Sequence, residues 1–257
     1  TNKKRETKMK LKSILGTVAA LALTATAATA EIKIGFAAEA YPPFTAKNAA
    51  GEWEGFEVDL KNALCAAMEE ECVVVDVAWD GIIPALLAGK IDAIVASMSI
   101  TAERMKTINF SDKYYNTPAV LVAPKSMDIG PDSLAGKIVG VQVSTIHQNY
   151  AEKHFDGTEI KTYSTFDEHN QDLTAGRVDA VVGDSIAFAD YLASAPDMEV
   201  KAELNDEEVF GPGVGVGMRK EDTELAAKFN AAIKQIREDG TYDAIGKKFF
   251  DFDIYGG

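Results

Sequence analysis

A helix–glycine–strand unit occurs twice in this chain, and it constrains the fold more than any other feature. Leu86-Leu87-Ala88-Gly89-Lys90-Ile91-Asp92-Ala93-Ile94-Val95 is echoed by Asp172-Leu173-Thr174-Ala175-Gly176-Arg177-Val178-Asp179-Ala180-Val181-Val182. Each copy reads as a helix end, a glycine stop and a buried strand. The offsets agree further on, with Ser97 eight residues after Gly89 and Asp184 eight after Gly176, so both are expected just past equivalent strands. The opening strands Ile32-Lys33-Ile34-Gly35-Phe36 and Lys137-Ile138-Val139-Gly140-Val141 are alike as well. Two lobes of one plan account for this pattern. Such units recur throughout α/β proteins, however, and a matched offset alone does not exclude coincidence.

Hydrophobic periodicity fills in the rest. Residues 55–70 read as a helix with Phe56, Leu60, Ala63, Leu64 and Ala67 on one face, residues 72–78 as a strand, 80–87 as a helix and 91–96 as a strand. A further amphipathic helix is expected over 221–239, with Leu225, Phe229, Ile233 and Ile236 facing inward and Gly240 as its stop. Alternating strands and helices imply mainly parallel sheets covered on both faces. In such sheets ligands bind beyond the carboxyl ends of the strands, so two facing lobes would enclose a cleft. The run Gly211-Pro212-Gly213-Val214-Gly215-Val216-Gly217 looks too rich in glycine for an ordinary strand and suits a crossing segment. Its spacing matches neither a P-loop nor a dinucleotide fingerprint.

Ser97-Met98-Ser99-Ile100-Thr101-Ala102-Glu103-Arg104 leaves a predicted strand and enters a helical stretch. Free backbone N–H groups at such a junction favour an anion, and the Arg104 guanidinium adds a planar pair of donors matched to a carboxylate. A surface arginine on an ordinary helix explains this stretch equally well.

The first thirty residues hold basic residues, then an Ala/Leu/Thr-rich run ending in Ala28-Thr29-Ala30, the pattern of a cleaved secretory leader with Met9 as its start. A retained membrane anchor is the rival, but the apolar run is short and diluted by threonine. Cleavage is expected before Glu31, and no cysteine at that boundary suggests a lipid anchor. The whole chain carries 26 basic and 40 acidic residues for a net charge of −14; six of the basic and one of the acidic residues lie in the leader, so the remainder stands at −19. A polyanion such as nucleic acid would be repelled, whereas a small cation would be mildly attracted. Excess acid also simply keeps an exported protein in solution. Cys65 and Cys72 both lie beyond the leader, and oxidising surroundings make a disulfide the first expectation, with two unlinked core thiols as the alternative. His147 and His154, seven apart on a predicted helix, lack a third ligand and read as surface histidines rather than a metal site.

Tyr41-Pro42-Pro43-Phe44, Gly55-Phe56-Glu57-Val58-Asp59-Leu60, Trp79-Asp80-Gly81-Ile82-Ile83-Pro84, the run from Ser97 to Arg104, and Asp184 occur in the order of a known family. From residue 31 to the end the chain resembles the periplasmic polar amino-acid binding proteins, the solute receptors of ABC importers that include the lysine/arginine/ornithine, histidine and opine receptors. The resemblance implies a two-lobed α/β fold of the type II periplasmic-binding kind, with 31–116 and 213–257 in one lobe, 117–212 in the other, and hinges near 115–119 and 210–214. It also supports a Cys65–Cys72 disulfide. Carried over residue by residue, Arg104 grips a ligand α-carboxylate with the N–H groups of Ser99 and Thr145. Asp184, Ser99 and the Ser97 carbonyl hold the α-ammonium. Met98, Val143 and Ser144 count among the contacts, and Tyr41 and Trp79 sandwich the ligand side chain, where aromatic faces attract a cation.

Departures from the family pattern are local. Relatives carry an acid three residues before the tyrosine, where this chain has Ala38; Glu39 is its candidate replacement. Val143-Ser144-Thr145 stands where relatives show Gly-Thr-Thr, and Ala96 where they show a second serine. Phe166-Asp167-Glu168-His169-Asn170-Gln171-Asp172-Leu173 looks like the opine branch, which keeps a larger arginine-derived ligand in view. The expected protein is a monomer without a cofactor that passes an amino acid to a membrane permease and performs no covalent chemistry. Two rivals share the fold: a cyclohexadienyl-dehydratase-like enzyme with Glu39 as proton donor, and a ligand sensor for a chemoreceptor or kinase.

Overall fold

The computed structural model describes Thr1 and residues 31–256. The expected leader, with its start at Met9, lies outside the described residues. The first stretch runs β1 (Ile32–Ala37), a small ribbon of β2 (Ala46–Lys47) and β3 (Trp53–Glu54), α1 (Phe56–Ala67), β4 (Cys72–Val77), α2 (Ile82–Leu87), β5 (Ala93–Ile94), α3 (Ala102–Met105) and β6 (Asn109–Tyr115). The middle holds β7 (Ala119–Pro124), β8 (Ile138–Gln142), α4 (Ile146–His154), β9 (Glu159–Tyr163), α5 (Phe166–Thr174), β10 (Ala180–Asp184), α6 (Phe188–Ser194), β11 (Met198–Leu204) and α7 (Glu207–Phe210). The chain then returns as β12 (Val214–Met218), α8 (Thr223–Glu238) and α9 (Thr241–Gly246).

These strands build two five-stranded sheets, ordered β4-β1-β5-β12-β6 and β11-β7-β10-β8-β9. In the first, only β12 runs against the other four, and in the second only β7 does. Each reversed strand is the one the chain enters on arriving from the other sheet, across residues 116–118 and 211–213.

The repeated unit is repeated in detail. Gly89 and Gly176 both adopt φ +68°, the left-handed turn that glycine enters without a Cβ penalty. Beyond them, Asp92 N–H donates to the Lys33 carbonyl and the Asp92 carboxylate accepts Lys33 N–H at 3.0 Å. Asp179 makes the same pair of bonds with Ile138, its carboxylate accepting at 2.8 Å. One aspartate per lobe thus latches the start of the opening strand to the strand beyond the glycine turn. Local sequence sets this register, because the turn, the aspartate and the strand lie within four residues.

The glycine-rich run departs from expectation. Val214–Met218 is a strand bonded on both sides, to β5 and β6, and only residues 211–213 form the crossing. Val214, Val216 and Met218 alternate onto one buried face. On the other, a Cβ at Gly215 would lie 2.8 Å from Ile100 Cδ1, and one at Gly217 would lie 3.3 Å from Ile108 Cδ1. Glycine is there because neighbouring isoleucines fill the space a side chain would need. Strand β5 is shorter than the predicted strand, and the helix predicted from residue 80 opens with a single 3-10 turn over Trp79–Gly81 before α2.

Helix α8 buries Ala226, Phe229, Ala232, Ile233 and Ile236 and packs on α1, whose Phe56, Leu60 and Leu64 are fully buried; Leu225 is only partly covered. Around Phe56, the rings of Phe44, Tyr115 and Phe250 close at centroid distances of 4.7–6.5 Å, so the last residues of the chain finish the first lobe. Aromatic pairs in such edge-to-face and offset arrangements add to the area they bury. Cys65 and Cys72 form a disulfide that joins α1 to β4. Replacing both by alanine is expected to lower the unfolding free energy by about 2.5 kcal/mol, the loop-closure contribution for so short a loop, measured by urea denaturation.

Candidate functional site

A cleft lies between the carboxyl ends of the two sheets. The first lobe lines it with Ala37 at the end of β1, Glu39 and Tyr41 beyond it, Trp79 after β4, Ala96, Ser97 and Ser99 after β5, and Arg104 on α3. From the second come Gln142 at the end of β8, Thr145, Ile146 and His147 at the start of α4, Phe166 and His169 on α5, and Val182 and Asp184 on β10.

Local backbone geometry aims several of these groups. Ser99 bridges Val214 across the sheet, with Ile100 N–H bonded to the Gly213 carbonyl and Gly215 N–H to the Met98 carbonyl. In that antiparallel pattern the bonds fall on the flanking residues, so the N–H and C=O of Ser99 turn away from β12. Its carbonyl accepts Nη1 of Arg104 at 3.0 Å. Thr101 caps the first turn of α3 by accepting Arg104 N–H at 3.2 Å, and Thr145 caps α4 by accepting Gln148 N–H at 3.1 Å.

Arg104 reaches both lobes, because its Nη2 donates to the Ser144 carbonyl at 3.3 Å. Its guanidinium lies 5.4 Å from the centre of the Trp79 ring. Burial lowers its pKa to about 10, against the opposing pull of Asp184, so it stays cationic at neutral pH. Asp184, 6 % exposed, accepts the Tyr41 hydroxyl at 2.5 Å. Burial and the Asp184 charge push the Tyr41 phenol well above its ordinary pKa, which keeps it a donor. Tyr41 also packs edge-on against Phe166 at 5.2 Å, a second contact across the cleft. Glu39 accepts the Trp79 backbone N–H through both carboxylate oxygens, at 3.1 and 3.3 Å.

Of the residues expected from sequence, Glu39, Tyr41, Trp79, Ser97, Ser99, Arg104, Thr145 and Asp184 converge on this cleft. Three do not line it. Met98 is 1 % exposed and packs with Ile82, Leu86 and Ile108, because successive residues of an extended segment face opposite ways. Val143 bonds its N–H to the Tyr163 carbonyl, and Ser144, exposed, gives its N–H to the Gln148 side chain and meets the site only through its carbonyl, on Arg104.

Two histidines enter the site unforeseen. His147 is not a surface residue: it is buried, its Nε2 is 3.3 Å from Asp184 Oδ1 without hydrogen-bond alignment, and only His154 is exposed, bonded to Asp206 at 2.6 Å. The reason is that the first turn of α4 dips into the cleft while its last turn leaves it. His169 is completely buried, and among the described residues neither ring nitrogen has a hydrogen-bond partner. Burial and the nearby His147 lower its pKa to about 3. The signal for His147 was present in Thr145, a cap placed just after a strand, which is the logic that singled out Arg104. Phe166 and His169 are one helical turn apart, on the inward face of α5.

The chain belongs to the bacterial extracellular solute-binding proteins, family 3, whose profile matches residues 32–252. It is 43 % identical to an L-arginine-binding protein of Pseudomonas aeruginosa over 96 % of this chain and 99 % of that one. It is also 43 % identical to a histidine-binding periplasmic protein of Escherichia coli, over 84 % of this chain and 86 % of the relative. A Salmonella typhimurium periplasmic binding protein, solved to explain its high arginine specificity, superposes with a TM-score of 0.80 at 30 % identity, covering 86 % of this chain and 99 % of that one. The fold is accordingly the two-lobed one of the periplasmic amino-acid binding proteins.

Because burial disfavours its imidazolium, His169 is expected to stay neutral from pH 8 down to pH 5. Its ring carbon NMR shifts should be flat over that range, and a titration midpoint near 6 would show that water reaches the ring.

Proposed function

We propose that this protein is a periplasmic receptor for an amino acid with a cationic side chain, arginine, lysine or ornithine, or for an arginine-derived opine, and that it delivers this ligand to the permease of an ABC importer. The observation that carries the reading is the meeting of Arg104 and Asp184, from opposite sheets, in one cleft. A zwitterion needs a cation with backbone N–H groups at one end and a carboxylate at the other. Arg104, with the N–H groups of Ser99 and Thr145, would hold the α-carboxylate; Asp184, Ser99 and the Ser97 carbonyl would hold the α-ammonium. The present partners of Arg104 are neutral carbonyls and the aligned donor on Asp184 is a neutral phenol. Charged ligand groups in their place make stronger, charge-assisted bonds.

Tyr41, Trp79 and Phe166 offer aromatic surface to the ligand side chain, and Glu39 offers the negative charge that a guanidinium or ammonium would meet where relatives use the residue at position 38. Glu39 is engaged as an acceptor by Trp79 N–H, which suits a receptor better than a proton donor for dehydration. Residues 31–116 and 213–257 would move as one lobe and 117–212 as the other, about the crossings at 116–118 and 211–213. A ligand touching both lobes favours the closed form by the affinity it gains there. The protein would act as a monomer, exported by its leader, and its acidic surface would keep it from nucleic acid.

A melting-temperature screen over the amino acids tests this. At a hundred times Kd a ligand specific for the native state contributes about 2.7 kcal/mol, and the largest rise is expected for arginine, ornithine, lysine or an arginine opine. Arg104→Ala should abolish the rise, and an undiminished shift would reject the carboxylate clamp. Incubation with prephenate or arogenate covers the enzymatic rival: aromatic product that disappears in Glu39→Gln would replace the receptor reading.

A further inference from the structure

Glu57 lies on the first turn of α1 and is completely buried, yet among the described residues it touches no cation. Its carboxylate accepts three hydrogen bonds, from Ser97 N–H at 2.7 Å, the Ser97 hydroxyl at 3.1 Å and the Tyr114 hydroxyl at 2.5 Å. Ser97 has φ +53°, a left-handed conformation that is unfavourable for a residue with a Cβ and persists only where its surroundings impose it. The two bonds to Glu57 do so. They hold Ser97 at the turn where β5 gives way to the Ser99 strand segment, directly under the cleft wall.

We propose that Glu57 is a positioning residue for cation binding: it holds Ser97 in the left-handed turn and places beneath the cleft a second negative charge that a bound ammonium compensates together with Asp184. The inference rests on the reading of the cleft as an amino-acid site. It goes beyond that reading because Glu57 does not line the cleft and acts through Ser97 and through its field.

The titratable groups around Glu57 are Tyr114 on β6, its neighbour Tyr115, Tyr41 after β1 and Asp184 on β10. The Glu57 pKa stands at about 7: burial raises it most, the bonds from Tyr114 and Ser97 hold it down, and the Asp184 charge adds a smaller rise. Near neutral pH the group is therefore partly protonated. An ammonium arriving above it favours the carboxylate, lowers its pKa and sends its proton to the buffer. Because binding releases a proton, ligand affinity rises with pH through about 7 and levels off once Glu57 is ionised before the ligand arrives. His147 is the other titratable side chain close to the same ammonium, through Asp184.

Titration calorimetry with L-arginine, in buffers of different ionisation enthalpy between pH 6 and 8.5, tests the proposal by counting protons. The wild type is expected to release a fraction of a proton per ligand near pH 7, falling towards none at pH 8.5. Glu57→Gln should bind about tenfold more weakly and release none of that fraction. Tyr114→Phe keeps the ring and removes a donor to Glu57, so the midpoint of proton release should move to higher pH. Tyr114 bonds Glu57 and not His147, which assigns a moved midpoint to Glu57, and this variant decides the matter if Glu57→Gln fails to fold. Wild-type affinity and proton count in Glu57→Gln, or an unmoved midpoint in Tyr114→Phe, would overturn the role of Glu57. If Glu57→Gln weakens binding but releases the same protons, the electrostatic half of the proposal falls. A wild type that binds no amino acid at all would instead overturn the reading of the cleft, and this inference with it.

Discussion

Charges taken out of water must be met by donors, acceptors or opposite charge, and that requirement organises the interface between the two lobes. Asp184 is nearly buried and takes its aligned hydrogen bond from Tyr41 of the other lobe. Arg104 gives one amine to its own lobe at Ser99 and one across the cleft at Ser144. Arg104 is thus satisfied by neutral carbonyls from both sides of the cleft, and Asp184 by a neutral phenol from the opposite side. An uncompensated charge here would cost several kcal/mol. In the function proposed above, such an interface would exchange its internal partners for ligand groups of opposite charge without leaving an ion unpaired.

The two lobes reach this arrangement by the same local grammar. A helix ends in a left-handed glycine, an aspartate latches the neighbouring strand, and the strand delivers its last residues to the cleft. The lobes diverge at the ends of these strands. After β5 the chain turns at Ser97 and offers backbone groups and then Arg104; β10 itself ends in Asp184. Duplicated architecture with unlike termini gives a cleft with opposite poles, which an isologous pair of lobes would not have.

Support for the cleft comes from behind it. Phe44 stacks on Tyr41 on one side and on Tyr115 on the other, and Phe56 and Phe250 close the cluster. Tyr114 faces the opposite way from Tyr115 along β6 and reaches Glu57. The same short segment therefore holds an apolar wall with one side chain and a buried carboxylate with the next. Glu57 joins the packing of the first lobe to the polar chemistry of the cleft, because it is rooted on α1 and bonded to Ser97.

Much of this was legible in the sequence. The repeated unit, the helices over 56–67 and 223–238, the disulfide pair, and the convergence of Arg104 and Asp184 all come from spacing, periodicity or ordered motifs, which depend on interactions within a few residues or on a resemblance spread along the chain. Tertiary structure alone decided the rest. Val214–Met218 is a strand because isoleucines from other segments fill its glycine face; Met98 turns inward while Ser97 and Ser99 face the cleft; His147 is buried beside Asp184, with His169 buried near it; and Glu57 lies beneath Ser97 from forty positions away. In each case the deciding contact comes from a segment distant in the chain, and local periodicity carries no information about which distant side chain will occupy the facing space.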